Sequence, residues 1–312
     1  MNTRGFRLEA ERFGQPSVVL QRRGEDTRTT AGGALVVRMT IAPINPSDLI
    51  PVSGAYRHRT VLPFVPGYEG VGVVAAAPAG LECRVGSRVL PLRGEGTWRT
   101  HVRCDPFLAV PVPDDVPDAL AARAYINPLT ALSIMEAYPP HGKRVLITGG
   151  GSSCAHLLAY EAARRGAAEV QVIHRAPRHA EALRAAGTAP ISESDLPSVK
   201  AAAREADLVL DAIGGAFAVY IAELMRAGAT LVGYGLMSGE PVHLKQPFRI
   251  NWRRFHLRDA LPTDPTSWHR KMRAVWPLLR SAPLPVAREM PMHAFRDAVA
   301  ASGQGAKPLL VF

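Results

Sequence analysis

A glycine-rich turn between a strand-like and a helix-like segment constrains the fold of this chain more than any other feature. An apolar run over 144–148 enters three consecutive glycines, an alanine-rich helical pattern continues to Gly166, and a second apolar run follows at 170–173. Glycines let the main chain turn sharply and approach a ligand, and a helix start offers free N–H groups to a phosphate. The sequence therefore predicts a βαβ unit that binds a dinucleotide, with an ordinary tight turn as the alternative. The expected contacts are Gly149, Gly150, Gly151, Ser152 and Ser153, of which the serines also suit a helix cap.

Basic side chains follow the second apolar run. In proteins that bind NAD, an Asp or Glu about 20 residues after the glycines accepts hydrogen bonds from the ribose. Here His174 and Arg175 take that place, and Arg178 follows shortly after. Guanidinium groups suit a 2′-phosphate, so the sequence favours NADPH over NADH. The alternative is that these are solvated side chains of a basic protein.

Charge and cysteine content narrow the classes of function. The formal net charge is +10, and most of it is carried by arginines that are dispersed along the chain. Dispersed arginines do not indicate a nucleic-acid-binding tract. An acidic or phosphorylated partner is reasonable for a protein of this charge. The three cysteines are isolated, which suits a reducing compartment without disulfides. The start of the chain lacks the apolar run of a signal peptide, and no segment has the length of a membrane span. We therefore expect a cytoplasmic protein that binds no membrane.

The pattern of elements changes near residue 122. Before it, short strand-like runs alternate with Pro and Gly, which is typical of a compact β-rich domain. After the proline-rich segment 111–117, helices alternate with strands, as in a parallel, doubly wound sheet, and 308–312 resembles a closing strand. The expected strands include 17–21, 34–41, 70–76 and 88–90, and the expected helices include 118–138, 179–186 and 215–226. We therefore predict an α/β protein with a β-rich domain over 1–122 and 258–312 and a doubly wound domain over 123–257.

Three segments of the first domain resemble those of the medium-chain dehydrogenase/reductase superfamily. They are Arg12-Phe-Gly-Gln-Pro-Ser17, Pro43-Ile-Asn-Pro-Ser-Asp48 and Gly67-Tyr-Glu-Gly-Val-Gly72. The resemblance implies a GroES-like β-rich catalytic domain and a Rossmann domain that binds the cofactor. Zinc-binding members hold catalytic zinc with a Cys and a His, where this chain has residues near Asn45 and Tyr68 that replace those ligands poorly. We therefore expect a zinc-free enzyme with no metal site.

Among the zinc-free branches, the chain is most similar to the 2-enoyl thioester reductases of fatty-acid synthesis, such as mitochondrial trans-2-enoyl-CoA reductase, and next to the quinone oxidoreductases. The motifs that carry this likeness are Asn45-Pro-Ser-Asp48 with Gly54-Ala-Tyr56, Gly96-Thr-Trp98, Asn127-Pro-Leu-Thr-Ala131 and Gly149-Gly-Gly-Ser-Ser-Cys-Ala155. The chain departs from that branch at Ala155, which replaces the final loop glycine, and at Gly151, where the branch has asparagine. It departs further after Leu257, which leaves the substrate preference open.

The resemblance implies hydride transfer from NADPH to the β-carbon of an enoyl substrate and protonation of the α-carbon. In the family a tyrosine of the Gly-x-Tyr segment is placed as proton donor, and Tyr56 matches it. We expect Asn45 and Trp98 to complete the catalytic set, although packing remains an open alternative for Tyr56 and Trp98. The expected cofactor contacts also include Asn127, Thr130, Gly233, Tyr234, Gly235, Leu236 and Lys307.

The substrate class and its carrier stay open in the sequence. An enoyl group carried on coenzyme A or an acyl-carrier protein is expected, and the basic segment Arg249–Arg258 suits either partner, with a solvated or subunit-interface helix as the alternative. A homodimer is usual for the family. The competing functions are a quinone or enone oxidoreductase of the same fold, and a non-catalytic protein that binds a cofactor or nucleic acid.

Overall fold

The computed structural model describes residues 4–26, 33–80, 83–244, 249–303 and 305–312, the side chain of Arg4 excepted. The chain forms two compact units. Unit 1 consists of Met1–Ile126, Pro262–Trp276 and Val286–Phe312, and unit 2 consists of Asn127–Leu261 and Pro277–Pro285. These boundaries lie a few residues after those expected at 122 and 257, and the short segment Pro277–Pro285 belongs to unit 2 rather than to the first domain.

Both units contain β-strands. In chain order they are β1 (Arg4–Ala10), β2 (Leu20–Asp26), β3 (Leu35–Pro43), β4 (Val71–Ala76), β5 (Arg88–Leu90), β6 (His101–Cys104), β7 (Val110–Pro111), β8 (Arg144–Ile147), β9 (Glu169–His174), β10 (Ala189–Ser192), β11 (Leu208–Asp211), β12 (Thr230–Gly233), β13 (Asn251–Arg254), β14 (Ala287–Pro291) and β15 (Lys307–Val311).

The α-helices are α1 (Pro16–Val19), α2 (Pro46–Ser53), α3 (Asp118–Ala121), α4 (Ile126–Ala137), α5 (Ser153–Arg164), α6 (Ala180–Ala185), α7 (Leu196–Glu205), α8 (Gly215–Leu224), α9 (Pro265–Arg273), α10 (Val275–Ser281) and α11 (Phe295–Ala301). Short 3₁₀ turns cover Pro177–His179, Leu257–Ala260 and Met292–Ala294. No helix in the described part of the chain is long and apolar enough to cross a membrane.

Unit 2 is built on a parallel six-stranded sheet in the order β10-β9-β8-β11-β12-β13. Counted within the unit, this is the order 3-2-1-4-5-6 of a doubly wound dinucleotide-binding sheet. The order reverses between β8 and β11, and ligands of such sheets bind outside the carboxyl ends of the strands at that point. The glycine turn follows β8, so the fold places it where a dinucleotide is expected.

Unit 1 is built on a mostly antiparallel sheet in the order β14-β15-β3-β4-β5-β7, to which β6 adds by pairing with β3. Its core is a cluster of buried apolar side chains that includes Leu8, Val37, Trp98 and Phe295. The predicted closing strand is confirmed, because β15 pairs antiparallel with β3. Together the two units confirm the predicted α/β class, with one β-rich unit and one doubly wound unit.

Three local expectations were wrong, each for a physical reason. The run at 17–21 begins as α1, because Pro16 occupies the first helical turn, and becomes β2 only at Leu20. The helix expected over 118–138 is interrupted before α4, where the backbone N–H groups of Tyr125 and Ile126 donate to the Glu69 carboxylate. The helix given as an alternative for 249–258 is not found, because Asn251–Arg254 pairs with β12 as the edge strand β13. Neither β10 nor α7 was predicted from the sequence.

Candidate active site

The glycine turn packs closely against the neighbouring strand of unit 2. Gly149 has φ +68°, a left-handed conformation that favours glycine. The N–H of Gly150 donates to the carbonyl of Ile173 at 2.9 Å, and a Cβ on Gly150 would lie 2.9 Å from that same oxygen. Backbone atoms cannot move aside as a flexible side chain can, so the neighbouring strand leaves no room for a side chain at Gly150.

Two serines lie at the start of α5. Ser152 is the N-cap, since its Oγ accepts a hydrogen bond from the N–H of Ala155 at 3.1 Å. The side chain of Ser153 is nearly buried. The capping role that the sequence offered for this pair is therefore present at Ser152, and the remaining free N–H groups of the first helical turn form an anion-binding feature.

A buried carboxylate joins the two strand ends at the point where the strand order reverses. Thr148 Oγ1 donates to Asp211 Oδ1 at 2.6 Å, and the N–H of Gly214 donates to Asp211 Oδ2 at 2.8 Å. Burial raises the pKa of Asp211. These bonds fix the end of β11 beside the glycine turn. Sequence reasoning missed the pair, and the only signal was an Asp at the end of a predicted strand.

The segment after β12 carries a buried phenol close to the glycine turn. The Tyr234 hydroxyl has no hydrogen-bond partner in the described part of the chain, and Ser152, Cys154 and Asp211 are its polar neighbours. Burial raises the pKa of Tyr234 well above its usual value. A buried hydroxyl without a partner is costly, so this atom fits a ligand that binds at the turn.

Gly233 and Gly235, on either side of Tyr234, lie where close packing leaves no room for a side chain. A Cβ on Gly233 would lie 2.5 Å from the Trp252 ring, and a Cβ on Gly235 would lie 2.5 Å from the carbonyl oxygen of Ala212. Leu236 is half-buried. The sequence-predicted segment 233–236 therefore lies against the carboxyl end of β11, on the side of the sheet where the glycine turn is found.

Basic side chains lie at the carboxyl end of β9. His174 is buried and its Nδ1 has no hydrogen-bond partner in the described residues. Arg175 and Arg178 are exposed, and no carboxylate of the described chain forms an ion pair with either. Two uncompensated guanidinium groups at this position suit an anion such as a 2′-phosphate.

The beginning of α4 reaches the glycine-turn helix. The Cys154 thiol lies 3.9 Å from the carbonyl oxygen of Asn127, a weak S–H hydrogen bond. Asn127 is half-buried and Thr130 is buried one turn later. Unit 2 thus brings Asn127 to the same region as the turn, the end of β11 and Tyr234.

In unit 1, a buried polar chain connects the last strand to the start of α2. The Lys307 ammonium donates to Asn45 Oδ1, and Asn45 Nδ2 donates to Glu69 Oε1 at 2.7 Å. Asn45 also caps α2, because its N–H donates to Asp48 Oδ2 at 2.8 Å. The Asn45 side chain is almost completely buried. This arrangement favours a role for Asn45 and Lys307 in holding α2.

Asp48 and Glu69 of unit 1 are both buried. Glu69 Oε2 accepts hydrogen bonds from the N–H groups of Tyr125 and Ile126, at 2.9 and 2.8 Å. Burial raises the pKa of Glu69, and burial together with the Glu69 charge raises the pKa of Asp48 to about 7. Sequence reasoning missed Asp48 and Glu69 as members of a common cluster.

Tyr56 lies just after α2, beyond the left-handed Gly54 with φ +92°. Its ring is half-buried, and the Arg59 guanidinium carbon lies 3.8 Å from the ring centroid. No described residue forms a hydrogen bond with the phenol oxygen, so the hydroxyl is free to meet a substrate. Trp98, by contrast, is fully buried, and its indole N–H donates to the carbonyl of Pro43 at 3.2 Å. This position favours the packing alternative for Trp98.

Known proteins resemble this chain over most of its length. The family model of the alcohol dehydrogenase GroES-like domain matches residues 31–114, within unit 1. A mitochondrial enoyl-[acyl-carrier-protein] reductase of Xenopus tropicalis is 32% identical over 75% of this chain and 71% of its own length. The corresponding protein of Bos taurus is 27% identical over 93% of this chain and 83% of its own length. A solved structure from Bacillus thuringiensis assigned to the NADPH:quinone reductases is 31% identical, covers 99% of both chains and has a TM-score of 0.88.

The chain belongs to the zinc-independent medium-chain dehydrogenases/reductases. Both the resemblance found in the sequence and the predicted GroES-like and Rossmann architecture are thereby confirmed. Within this superfamily the chain is similar both to enoyl reductases and to a quinone reductase.

Where zinc-binding dehydrogenases have their zinc ligands, this chain has Tyr68 and residues near Asn45. Tyr68 is partly exposed, and among the described residues no group of three His, Cys, Asp or Glu side chains could hold a metal ion. Cys83, Cys104 and Cys154 are buried, and none of them forms a disulfide within the described residues.

Proposed function

We propose that this reductase uses NADPH to reduce the activated C=C bond of a 2-enoyl thioester or a related enoyl substrate. The observation that carries the proposal is the enoyl-reductase relationship at 32% identity, combined with a glycine turn at the switch point of the parallel sheet. Similarity to enzymes over nearly the whole chain sets aside the non-catalytic nucleic-acid-binding alternative.

The residues of unit 2 fit a dinucleotide phosphate. The turn would clash with Cβ atoms at Gly150, the start of α5 offers N–H donors, and Tyr234 has a buried hydroxyl in need of a partner. We assign the pyrophosphate to the glycine turn and Ser152, and the 2′-phosphate to Arg175 and Arg178. When bound, NADPH supplies the hydride that reduces the double bond.

Tyr56 is the proposed acid of the reaction. Reduction at the β-carbon leaves negative charge on the thioester oxygen, and the α-carbon must then gain a proton. The Tyr56 phenol has no internal hydrogen-bond partner in the described chain, and a phenol donates a proton without a metal. Asn45 and Lys307 act as positioning residues, because they anchor the start of the helix that leads to Tyr56.

Positive charge beside Tyr56 favours a thioester on a phosphorylated carrier. Arg57, His58 and Arg59 are exposed, and no carboxylate of the described chain pairs with either arginine. Unpaired guanidinium groups attract phosphates such as those of coenzyme A or of an acyl-carrier protein. This segment of unit 1 is a stronger candidate for the carrier than 249–258, which forms the edge strand β13.

Cellular location and oligomeric state are part of the same proposal. Cysteines without disulfides in the described residues suit a reducing compartment, and we propose the cytoplasm. In the described sheet β13 has a neighbour on one side only, so a second copy of the chain could pair there in a homodimer.

The experiment that tests the proposed function is the oxidation of NADPH with crotonyl-CoA, followed by absorbance. Tyr56→Phe should lower kcat with crotonyl-CoA by at least tenfold, while Tyr160→Phe, which alters a half-buried tyrosine on α5, should not. The second candidate is quinone reduction, which the Bacillus thuringiensis relative favours. Turnover of benzoquinone that is equal in the native protein and in Tyr56→Phe, without enoyl turnover, would support the second candidate instead.

A further inference from the structure

Three histidines gather against the glycine turn of unit 2. His156 comes from α5, His174 from the end of β9 and His179 from the 3₁₀ turn that follows. The rings of His156 and His179 lie edge to face with centroids 6.4 Å apart. The Cβ of His174 lies 3.3 Å from the place where a Cβ on Gly150 would be.

The imidazole of His179 occupies the space of the side chain that Gly151 lacks. A Cβ built on Gly151 would lie 2.9 Å from His179 Nε2 and 3.2 Å from its Cδ2. Gly151 is the loop position where the similar branch has asparagine. The chain has therefore lost a polar side chain from the turn and has placed an imidazole nitrogen in the same volume.

The surroundings of His179 are poor in negative charge. Burial lowers the pKa of His179, and so do the charges of Arg178 and His174. His156 packs on its ring, and no carboxylate acts on it within the described chain. The Nδ1 of the buried His174 makes no hydrogen bond there, whereas the backbone carbonyls of Pro283 and Gly150 face the ring of the buried His156. A group of imidazoles and guanidiniums without a neighbouring carboxylate is suited to an anion.

We propose that His179 binds a phosphate of the dinucleotide in place of the missing loop side chain, and takes up a proton as the phosphate arrives. The inference rests on the proposed use of NADPH. It adds His179 to Arg175 and Arg178, the cofactor-binding residues that the sequence indicated.

The direction of the pH dependence follows from linkage. A phosphate stabilises the imidazolium, so the pKa of His179 is higher with cofactor bound than without it. Binding takes up a proton between these two pKa values, and affinity is greatest at the acidic end and falls as the pH rises through the bound-state pKa. Burial, Arg178 and His174 lower the pKa of His179 in the free protein, and the His156 ring packs against it.

Isothermal titration calorimetry in two buffers of different ionisation enthalpy counts the protons taken up per NADPH bound. Between about pH 6 and 8 we expect net uptake by the native protein. His179→Gln can donate a hydrogen bond but cannot gain charge, so it should lose this uptake and bind NADPH about tenfold more weakly at the acidic end. The matched control is His293→Gln, which alters an exposed histidine of unit 1 and should equal the native protein.

Two further ligands identify the phosphate. NADH carries the pyrophosphate alone, and 2′,5′-ADP carries the 2′-phosphate without it. Uptake that persists with NADH assigns His179 to the pyrophosphate, and uptake found only with NADPH and 2′,5′-ADP assigns it to the 2′-phosphate. Gly151→Asn should weaken NADPH binding through contact with the imidazole, and His179→Ala in the same chain should restore part of it.

The proposal is overturned if the native protein binds NADPH without taking up a proton, or if His179→Gln keeps both the affinity and the uptake. The native titration decides the question even if the variant fails to fold, which far-ultraviolet circular dichroism would reveal. If the native protein does not bind NADPH at all, the proposed function itself is wrong.

Discussion

Replacing Glu69 by glutamine probes the direction of donation in the buried polar chain of unit 1. Lys307 donates to Asn45, Asn45 donates to one oxygen of Glu69, and the N–H groups of Tyr125 and Ile126 donate to the other. A carboxylate accepts at both ends, whereas a glutamine amide accepts at one end only. If the new amide oxygen accepts from the N–H groups of Tyr125 and Ile126, the new NH₂ group faces the NH₂ group of Asn45, and two donors meet. If the Asn45 amide then turns over, its NH₂ group faces the Lys307 ammonium, and again two donors meet.

Within this set of contacts, one donor therefore loses its acceptor in either arrangement of Glu69→Gln. An unsatisfied buried donor costs about 1–3 kcal/mol, and the lost bond to a charged group is of similar size. Relief from burying a charge offsets part of this cost. We expect the variant to be about 2 kcal/mol less stable, which corresponds to roughly 1 M in the urea midpoint.

Urea unfolding followed by tryptophan fluorescence measures this loss, because Trp98, Trp268 and Trp276 all belong to unit 1. Glu289→Gln, which alters an exposed carboxylate of β14, should change the free energy of unfolding by no more than about 0.5 kcal/mol. Adding Lys307→Met to Glu69→Gln should cost less than the sum of the single changes, because Asn45 can then turn freely. Equal midpoints for Glu69→Gln and Glu289→Gln would refute the reasoning.

Three further outcomes are expected. Because burial raises the pKa of Asp48 from 3.8 to about 7 on folding, stability should fall by at most about 4 kcal/mol as the pH rises from about 4 to about 7 and level off above that, and Asp48→Asn should flatten that slope in urea titrations. Gly150→Ala should abolish NADPH binding in calorimetry, since its Cβ would meet the carbonyl of Ile173. Tyr234→Phe removes a hydroxyl without a hydrogen-bond partner in the described residues, so the melting temperature should stay unchanged or rise. The same change should weaken NADPH binding severalfold. A lower melting temperature would contradict this reasoning.

The features that the sequence predicted well are local ones. Gly149, Gly150 and the Ser152 cap are encoded within a few residues of strand, turn and helix start, so the pattern alone indicates their geometry. Strand alternation after residue 122 likewise indicated the parallel sheet. The strand predicted over 17–21 was wrong because the helix-starting effect of Pro16 outweighed the β propensity of the residues that follow it.

The features that the sequence could not show are contacts between distant residues. Thr148 and Asp211 are 63 positions apart, and Asn45 and Lys307 are 262 positions apart. No periodicity relates such pairs, since only the folded sheets bring them together. His179 is a similar case, because its relation to Gly151 depends on the path of the turn after β9. The segment 249–258 needed the neighbouring β12 to become a strand.

The pairing of β15 with β3 affects how the protein is completed during synthesis. On one edge of β3, β6 covers the first half, and Ile41, Ala42 and Pro43 are paired there by residues 309–311 of β15. The ribosome therefore releases most of unit 2 as an uninterrupted stretch that can begin folding, while the sheet of unit 1 still has an open edge. The nascent chain also carries Asp48 and Glu69 before their Lys307 cation exists. A chaperone that shields strand edges would be most useful to this protein until residues 307–311 have left the ribosome.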